Sequence, residues 1–137
     1  MNTSTNATAS SPIRVLEFAF TGYPVTDVAR ARAFYEGVLG LKTGMVWEEA
    51  DHAWIEYDAG GHTLAINNSS KEWKPSASGP AIALEVEDFD ATIAALKERS
   101  VRFTVEPFQS PVCRIAVILD PDGNSLAIHK RNVPAHG

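Results

Sequence analysis

Four histidines, one cysteine, three tryptophans and one acid set in an apolar run are the residues of this chain best suited to chemistry. His52, His62, His129 and His136 could ligate a metal or move protons, because imidazole titrates near neutral pH and offers a ring nitrogen. Cys113 is the lone thiol, so it makes no disulfide within the chain and builds no cysteine-rich zinc site. Glu85 stands between Leu84 and Val86. A carboxylate in that setting is either a charge anchor for a ligand or the solvated end of a strand. Trp47, Trp54 and Trp73 offer flat surfaces that suit a planar or apolar ligand, and that equally suit a core or a subunit interface. No nucleophile–base pair, glycine-rich phosphate loop or hydroxyl with an evident activator occurs in the sequence. No catalytic residue is assigned from it.

The chain that must position these groups has 137 residues, 45% of them hydrophobic and 21% charged. That balance belongs to a soluble globular protein able to bury one or two sizeable cores. The net charge is −5 with no basic block, which argues against nucleic acid as a partner. No apolar run approaches the roughly 18–20 residues that span a bilayer, which argues against a membrane partner. A small molecule is the expected ligand, and the negative charge weakly favours a cationic or neutral one. Residues 1–12 read as a polar, disordered tail without the parts of a signal peptide, so a cytoplasmic location is expected. Residues 132–137 read as a second tail.

The sequence repeats itself. Asp58-Ala59-Gly60-Gly61-His62-Thr63-Leu64-Ala65-Ile66 aligns with Asp120-Pro121-Asp122-Gly123-Asn124-Ser125-Leu126-Ala127-Ile128, at an offset of 62. Val25-Thr26-Asp27 aligns with Val86-Glu87-Asp88 at an offset of 61. Two copies at this spacing indicate a duplicated module rather than a solenoid. Val15 to Tyr23 reads as a strand, and Asp27 caps a helix carrying Val28, Ala31, Phe34, Tyr35, Val38 and Leu39 up to Gly40. Strands follow at Thr43–Glu49, Ala53–Asp58 and His62–Asn67. After a Ser- and Pro-rich linker, the order recurs. A strand at Ala81–Glu87 leads to a helix capped by Asp88, then to strands near Arg102–Glu106, Cys113–Leu119 and Asn124–Lys130. The expected class is α+β, with βαβββ modules at 13–68 and 80–131 joined by a linker at 69–79.

With Ala33-Phe34-Tyr35, Leu39-Gly40-Leu41 and Glu85-Val86 added to those repeats, the chain resembles the vicinal oxygen chelate superfamily. This is the glyoxalase, bleomycin-resistance and extradiol dioxygenase group. The resemblance implies that each sheet curls into half of a cup with its helix outside. It also implies that the modules share a cleft, usually within a homodimer. Catalytic members place metal ligands seven residues before the motif Asp on the first strand and within the repeated L-A-I on the last. Here those slots hold Phe20, Ala65, Ala81 and Ala127, none with a lone pair, whereas a catalytic ion needs three or more N, O or S ligands. No cofactor is therefore expected.

Strand parity places Glu85 and His129 on the cleft side with the slots, and Thr63 and Asn67 beside Ala65 on the same side. A displaced Glu85/His129 metal site would have only two good ligands, and hydrogen bonding or solvation at strand ends is the simpler account of both. His62 has the opposite parity; His52 and His136 read as turn and tail residues. The family pattern turns Cys113, Ile115 and Val117 to the cleft and Arg114 to the helix side or solvent. The expected ligand-binding set is Phe20, Trp47, Trp73, Glu85, Cys113, Ile115, Val117 and His129. They would line one elongated, mostly apolar pocket, with Phe20 in the space a metal would use and Trp73 as a lid. The expected function is metal-free small-molecule binding by a homodimer. The alternatives are a metal-dependent lyase, isomerase or dioxygenase with displaced ligands, and a metal-independent enzyme using Glu85 or His129 as acid–base.

Overall fold

Both helices begin where the repeat places an aspartate. In a computed structural model, which describes residue 12 and residues 14–132, Asp27 and Asp88 are extended N-caps. Their side chains accept from the Arg30 and Ala91 backbone N–H groups, donors that the first turn of a helix leaves unpaired. Helix α1 (Val28–Arg32) continues into a π-helical segment, Ala33–Val38, and α2 is Phe89–Glu98. The wider turn lets Leu39 N–H bond to the Phe34 carbonyl while Phe34 and Tyr35 remain buried. Gly40, at a φ of 74°, then ends the helix in a conformation that glycine adopts without a Cβ penalty.

Among the described residues, eight strands form two four-stranded sheets. The first contains β1 (Thr21–Pro24), β2 (Lys42–Glu49), β3 (His52–Ala59) and β4 (His62–Asn67), in the order β1-β4-β3-β2. The second repeats the pattern with β5 (Ile82–Glu85), β6 (Phe103–Gln109), β7 (Cys113–Leu119) and β8 (Ser125–Arg131), in the order β5-β8-β7-β6. In each sheet the first strand runs parallel to the last, and the rest is antiparallel. This is the expected α+β arrangement of two βαβββ units. One side of each sheet packs on a helix. Ile55, Tyr57, Leu64 and Ile66 meet Phe34 and Tyr35 in the first, while Ala116, Ile118, Leu126 and Ile128 face Phe89 and Leu96 in the second. Tyr35 and Tyr57, both fully buried, stack with ring centroids 6.0 Å apart.

The first strand is shorter than its composition suggests. Parallel pairing sets Thr21 opposite Leu64, and β4 starts only two residues earlier at His62, so residues 14–19 have no strand beside them. Val15, Leu16 and Phe18 are consequently exposed. Val101 follows α2, after Ser100 at a φ of 60°. At the other end, Asn132 is tied to the turn before β7 through its N–H to the Val112 carbonyl. Of the expected tails, residues 1–11 and 133–137 lie outside the described residues, and so does His136.

The Asp120-Pro121-Asp122-Gly123-Asn124 turn locks the two modules together. Asp120, 3% exposed, accepts from the Tyr35 hydroxyl at 2.8 Å, from the Asp122 and Asn124 N–H groups, and from the Asn124 amide. Burial, then the Asp120 charge, holds the Tyr35 hydroxyl far above the usual tyrosine range, so it remains a donor. Asp122 accepts from the Thr26 N–H and hydroxyl and pairs with Arg30 at 2.9 Å. Asn124 donates to the Pro24 carbonyl. Tyr23 completes the junction, because its hydroxyl accepts from Ile82 N–H at 2.9 Å and donates to the Ser125 carbonyl at 2.7 Å. It thus sits between β5 and β8.

Candidate functional site

The register settles which side chains share the concave face of the first sheet. Ile55 and Tyr57 point to the helix, so Trp54 and Glu56 point away from it, with Ala65 opposite Glu56 and Asn67 opposite Trp54. Trp47 pairs with Trp54 on the same side, and Gly22 pairs with Ala65. Phe20, just ahead of β1, lies edge-on to Trp54 with ring centroids 5.0 Å apart and planes at 84°. The expected orientation of Phe20 toward the concave side is what the structure has. Trp54 Nε1 donates to Glu56 Oε2 at 3.0 Å, fixing the indole beside the carboxylate.

Trp73 reaches the same face from the linker. A Cβ built on Gly22 would lie 3.5 Å from Phe20 Cε1, 3.5 Å from Trp73 Cζ3 and 3.8 Å from Asn67 Nδ2. Two rings therefore close over the open backbone of Gly22, beside the Asn67 amide. Asn67 is 1% exposed, and its Oδ1 accepts from Ser69 N–H at 3.2 Å, which orients the amide. Its Nδ2 is buried without a hydrogen-bond partner. Leaving such a donor unsatisfied costs about 1–3 kcal/mol.

The second concave face is aliphatic with one ion pair. Ala83 pairs with Ala127, Val117 with Ala127, Ile115 with His129 and Cys113 with Arg131. Glu85 pairs with His129 in register, and its Oε1 meets His129 Nδ1 at 2.6 Å. Its Oε2 accepts from Arg131 N–H at 2.8 Å. Partial burial pushes the Glu85 carboxyl up, but the Arg131 N–H, His129 and the Arg131 charge together hold it below the usual carboxylate range. The Cys113 thiol is buried within 3.3 Å of Ser110 Oγ. Arg114 turns to the helix side, over the Phe89 ring and against Asp90.

These positions do not fit the metal site that the fold family often carries. The slots hold Phe20, Ala65, Ala81 and Ala127; Gly22, Ala83 and Val117 beside Ala65 and Ala127 bring no donor side chain, and Glu56 opposite Ala65 is a single carboxylate. Among the described residues, no group of three or more His, Cys, Asp or Glu is placed to hold an ion. His52 and His62 are exposed, and His52 Nδ1 lies 3.2 Å from the Asn68 carbonyl.

The hollows do not follow the expected single pocket. The larger, about 1070 Å³, runs along β5 and α2, with Phe18, Phe20, Val38, Leu39, Leu84 and Leu96 in its walls. The smaller, about 450 Å³, lies under the linker against Gly22, Tyr23, Lys74, Ser76, Ala81 and Asn124. Of the expected ligand residues, Phe20 and Glu85 line the larger one; Trp47, Trp73, Cys113, Ile115, Val117 and His129 line neither. The reason is geometric. The larger groove takes in the helix side of β5, where Leu84 and Ile128 point, together with Phe20, Ala83 and Glu85. Phe20, Trp47 and Trp73 belong to the first face, and Glu85, Cys113, Ile115, Val117 and His129 to the second. Residues outside the expected set are Trp54, Glu56 and Asn67. Strand parity already placed Asn67 beside Ala65 and would have added Trp54 and Glu56 once β3 was in register, but the missing partner of Asn67 is a tertiary fact.

Residues 17–128 match the model of the Glyoxalase/Bleomycin resistance protein/Dioxygenase superfamily. Among solved structures, TnmS3, an antibiotic binding protein from Streptomyces sp. CB03234, is similar at 23% identity and a TM-score of 0.73, over 88% of this chain and 99% of that one. A glyoxalase/bleomycin resistance protein from the same organism is 27% identical with a TM-score of 0.68, over 82% and 98% of the two chains. A glyoxylase/bleomycin resistance protein/dioxygenase domain from Frankia sp. EAN1pec is 15% identical with a TM-score of 0.71, over 90% and 97%. No curated protein matches the chain.

Proposed function

Because the chain belongs to the glyoxalase/bleomycin resistance protein/dioxygenase superfamily, we propose that it is a small-molecule-binding protein that holds an apolar or aromatic ligand against its concave faces without a metal. The observation that carries this reading is the edge-on Phe20–Trp54 pair, an apolar aromatic corner at the Phe20 position, where the resemblance puts a metal ligand in catalytic relatives. Pockets for small molecules are mainly apolar with a few polar anchors, and this face supplies that mixture. The ligand contacts are Phe20, Trp47 and Trp73 on the first face, with Cys113, Ile115 and Val117 on the second and Glu85 and His129 as a polar contact. The antibiotic-binding description of TnmS3 agrees with this reading, as a statement about that protein.

The protein works as a cytoplasmic homodimer on this reading. Met45, Val46 and Trp47 on β2, Val105 and Phe108 on β6, and Phe18 ahead of β1 are all exposed, and apolar surface of that extent marks an interface. Light scattering at micromolar concentration gives a dimer mass; a monomer mass overturns this part. Among the described residues, no helix is long and apolar enough to cross a membrane.

A thermal-shift screen of aromatic and apolar compounds, run with and without divalent metals, tests the whole reading. Stabilisation by a ligand that is indifferent to metal supports it. Stabilisation only with metal, or near one equivalent of transition metal in the purified protein, overturns it. One observation favours a second reading, a metal-independent enzyme: the 2.6 Å Glu85–His129 contact is a carboxylate-oriented imidazole, the arrangement of a general base. Turnover of a bound ligand that His129→Ala abolishes would establish it.

A further inference from the structure

We infer that Asn67 Nδ2 is the recognition donor of the first concave face. It takes the acceptor oxygen of a neutral, planar aromatic ligand that enters by displacing Trp73. The inference rests on the small-molecule-binding reading and adds a ligand class and a residue to it. Three observations meet at this point. Asn67 Nδ2 is buried and unpartnered, while Ser69 N–H on Oδ1 prevents the amide from turning its oxygen into that place. The side chain shares the concave face with Trp54, its cross-strand partner, and with Gly22. The rings of Phe20 and Trp73 occupy the space over Gly22 within about a van der Waals contact of where a Cβ would stand.

The chemistry of the ligand follows from these groups. An N–H donor calls for an acceptor oxygen, and rings on two sides call for a flat apolar body around it. Glu56 lies on the same face, opposite Ala65, so a carboxylate ligand would be repelled and a neutral ketone, lactone or amide oxygen is selected. Trp73 is the ring that yields. It is half exposed and sits in the linker outside any strand or helix, whereas Phe20 is packed edge-on against Trp54. The bound ring takes the place of the indole, and its oxygen satisfies the donor that the free protein leaves unpaired.

The test uses 9-fluorenone and fluorene, two flat tricyclic probes of nearly the same shape that differ in one carbonyl oxygen. Binding is followed by quenching of tryptophan fluorescence in the full chain, with thermal melts to check that each variant folds. The wild type should bind 9-fluorenone about tenfold more tightly than fluorene, a ratio in the range of one well-made hydrogen bond to a buried donor. Asn67→Leu should reduce that ratio to about one. Asn67→Asp, which retains the acceptor for Ser69 N–H and loses the donor, should do the same if the leucine variant does not fold. Trp73→Ala should raise the association rate of both probes. Equal binding of the two probes to the wild type, or a ratio unchanged in a folded Asn67 variant, overturns the inference and leaves small-molecule binding standing. Failure of both probes to bind overturns the aromatic-ligand reading together with the inference.

Discussion

Asp120-Pro121-Asp122-Gly123-Asn124 and Asp58-Ala59-Gly60-Gly61-His62 occupy the same place in their respective modules, between the third and fourth strands. The first turn is docked against the other module, with Asp120 and Asn124 buried and bonded to Tyr35 and Pro24. The second is a solvent-exposed hairpin turn whose glycines carry positive φ values. The concave faces diverge in the same way, one aromatic with an orphan amide donor, the other aliphatic with an acid–histidine pair. Duplication thus fixes the path of the chain, while the neighbour that each copy meets decides what its residues do. The shared D-x-x-G pattern is an exposed hairpin turn in one copy and a clamp in the other.

The largest effect expected from this contrast is at the two aspartates. Asp120→Ala leaves the Tyr35 hydroxyl, two backbone N–H groups and the Asn124 amide without their acceptor, and should cost on the order of 3 kcal/mol. Asp58→Ala, at an exposed position, should stay within about 0.5 kcal/mol. Urea denaturation of both variants measures the difference, and equal losses would remove the distinction between clamp and hairpin.

Next in size is the aromatic face. Phe20 is 44% exposed, so Phe20→Ala should cost roughly 1–2 kcal/mol rather than the ~3–5 kcal/mol typical of a fully buried ring. It should also weaken aromatic ligands more than Ile115→Ala on the other face does. Calorimetry with one aromatic ligand on both variants decides whether the faces differ in binding.

The smallest effect is the pH response of the aliphatic face. A folded-state carboxyl held below its usual range adds stability that is present above the unfolded-state pKa and fades as pH falls through the folded-state value. Glu85 should therefore stabilise the native state at neutral pH and lose that contribution in the acid range below the usual carboxylate pKa. Glu85→Gln should narrow its stability gap to the wild type as the pH is lowered from 7 to 3, and a gap that stays constant would mean that the ionised carboxylate, bonded to Arg131 N–H and His129, adds nothing. Because Glu85 is partly exposed, salt should shrink the effect further.

Much of this was legible in the chain because it depends on local rules. The caps at Asp27 and Asp88 and the strands His62–Asn67 and Cys113–Leu119 follow from capping chemistry and strand composition. The facing of Phe20 followed from the slots that the resemblance implies, and strand parity carried it from those slots to Glu85 and His129. What escaped depended on partners far away in sequence. Val15 to Ala19 have strand composition, but β4 is too short to pair with them. Ala33–Val38 has helical spacing, yet widens to a π turn around the buried Phe34 and Tyr35. Asn67 could be assigned a face, but its orphan donor exists only because Ser69, Trp54, Trp73 and Phe20 converge around it.

The Tyr23 hydroxyl between Ile82 N–H and the Ser125 carbonyl carries a consequence for how the molecule opens. A ladder that includes a side chain from elsewhere in the chain cannot be completed by its own strands. The Ile82 amide is shielded only while the first module is docked, so its hydrogen exchange is a gauge of the contact between halves rather than of the sheet in which it lies. Exchange at Ile82 that runs ahead of its neighbours on β5 would time the parting of the two modules, read from a single proton.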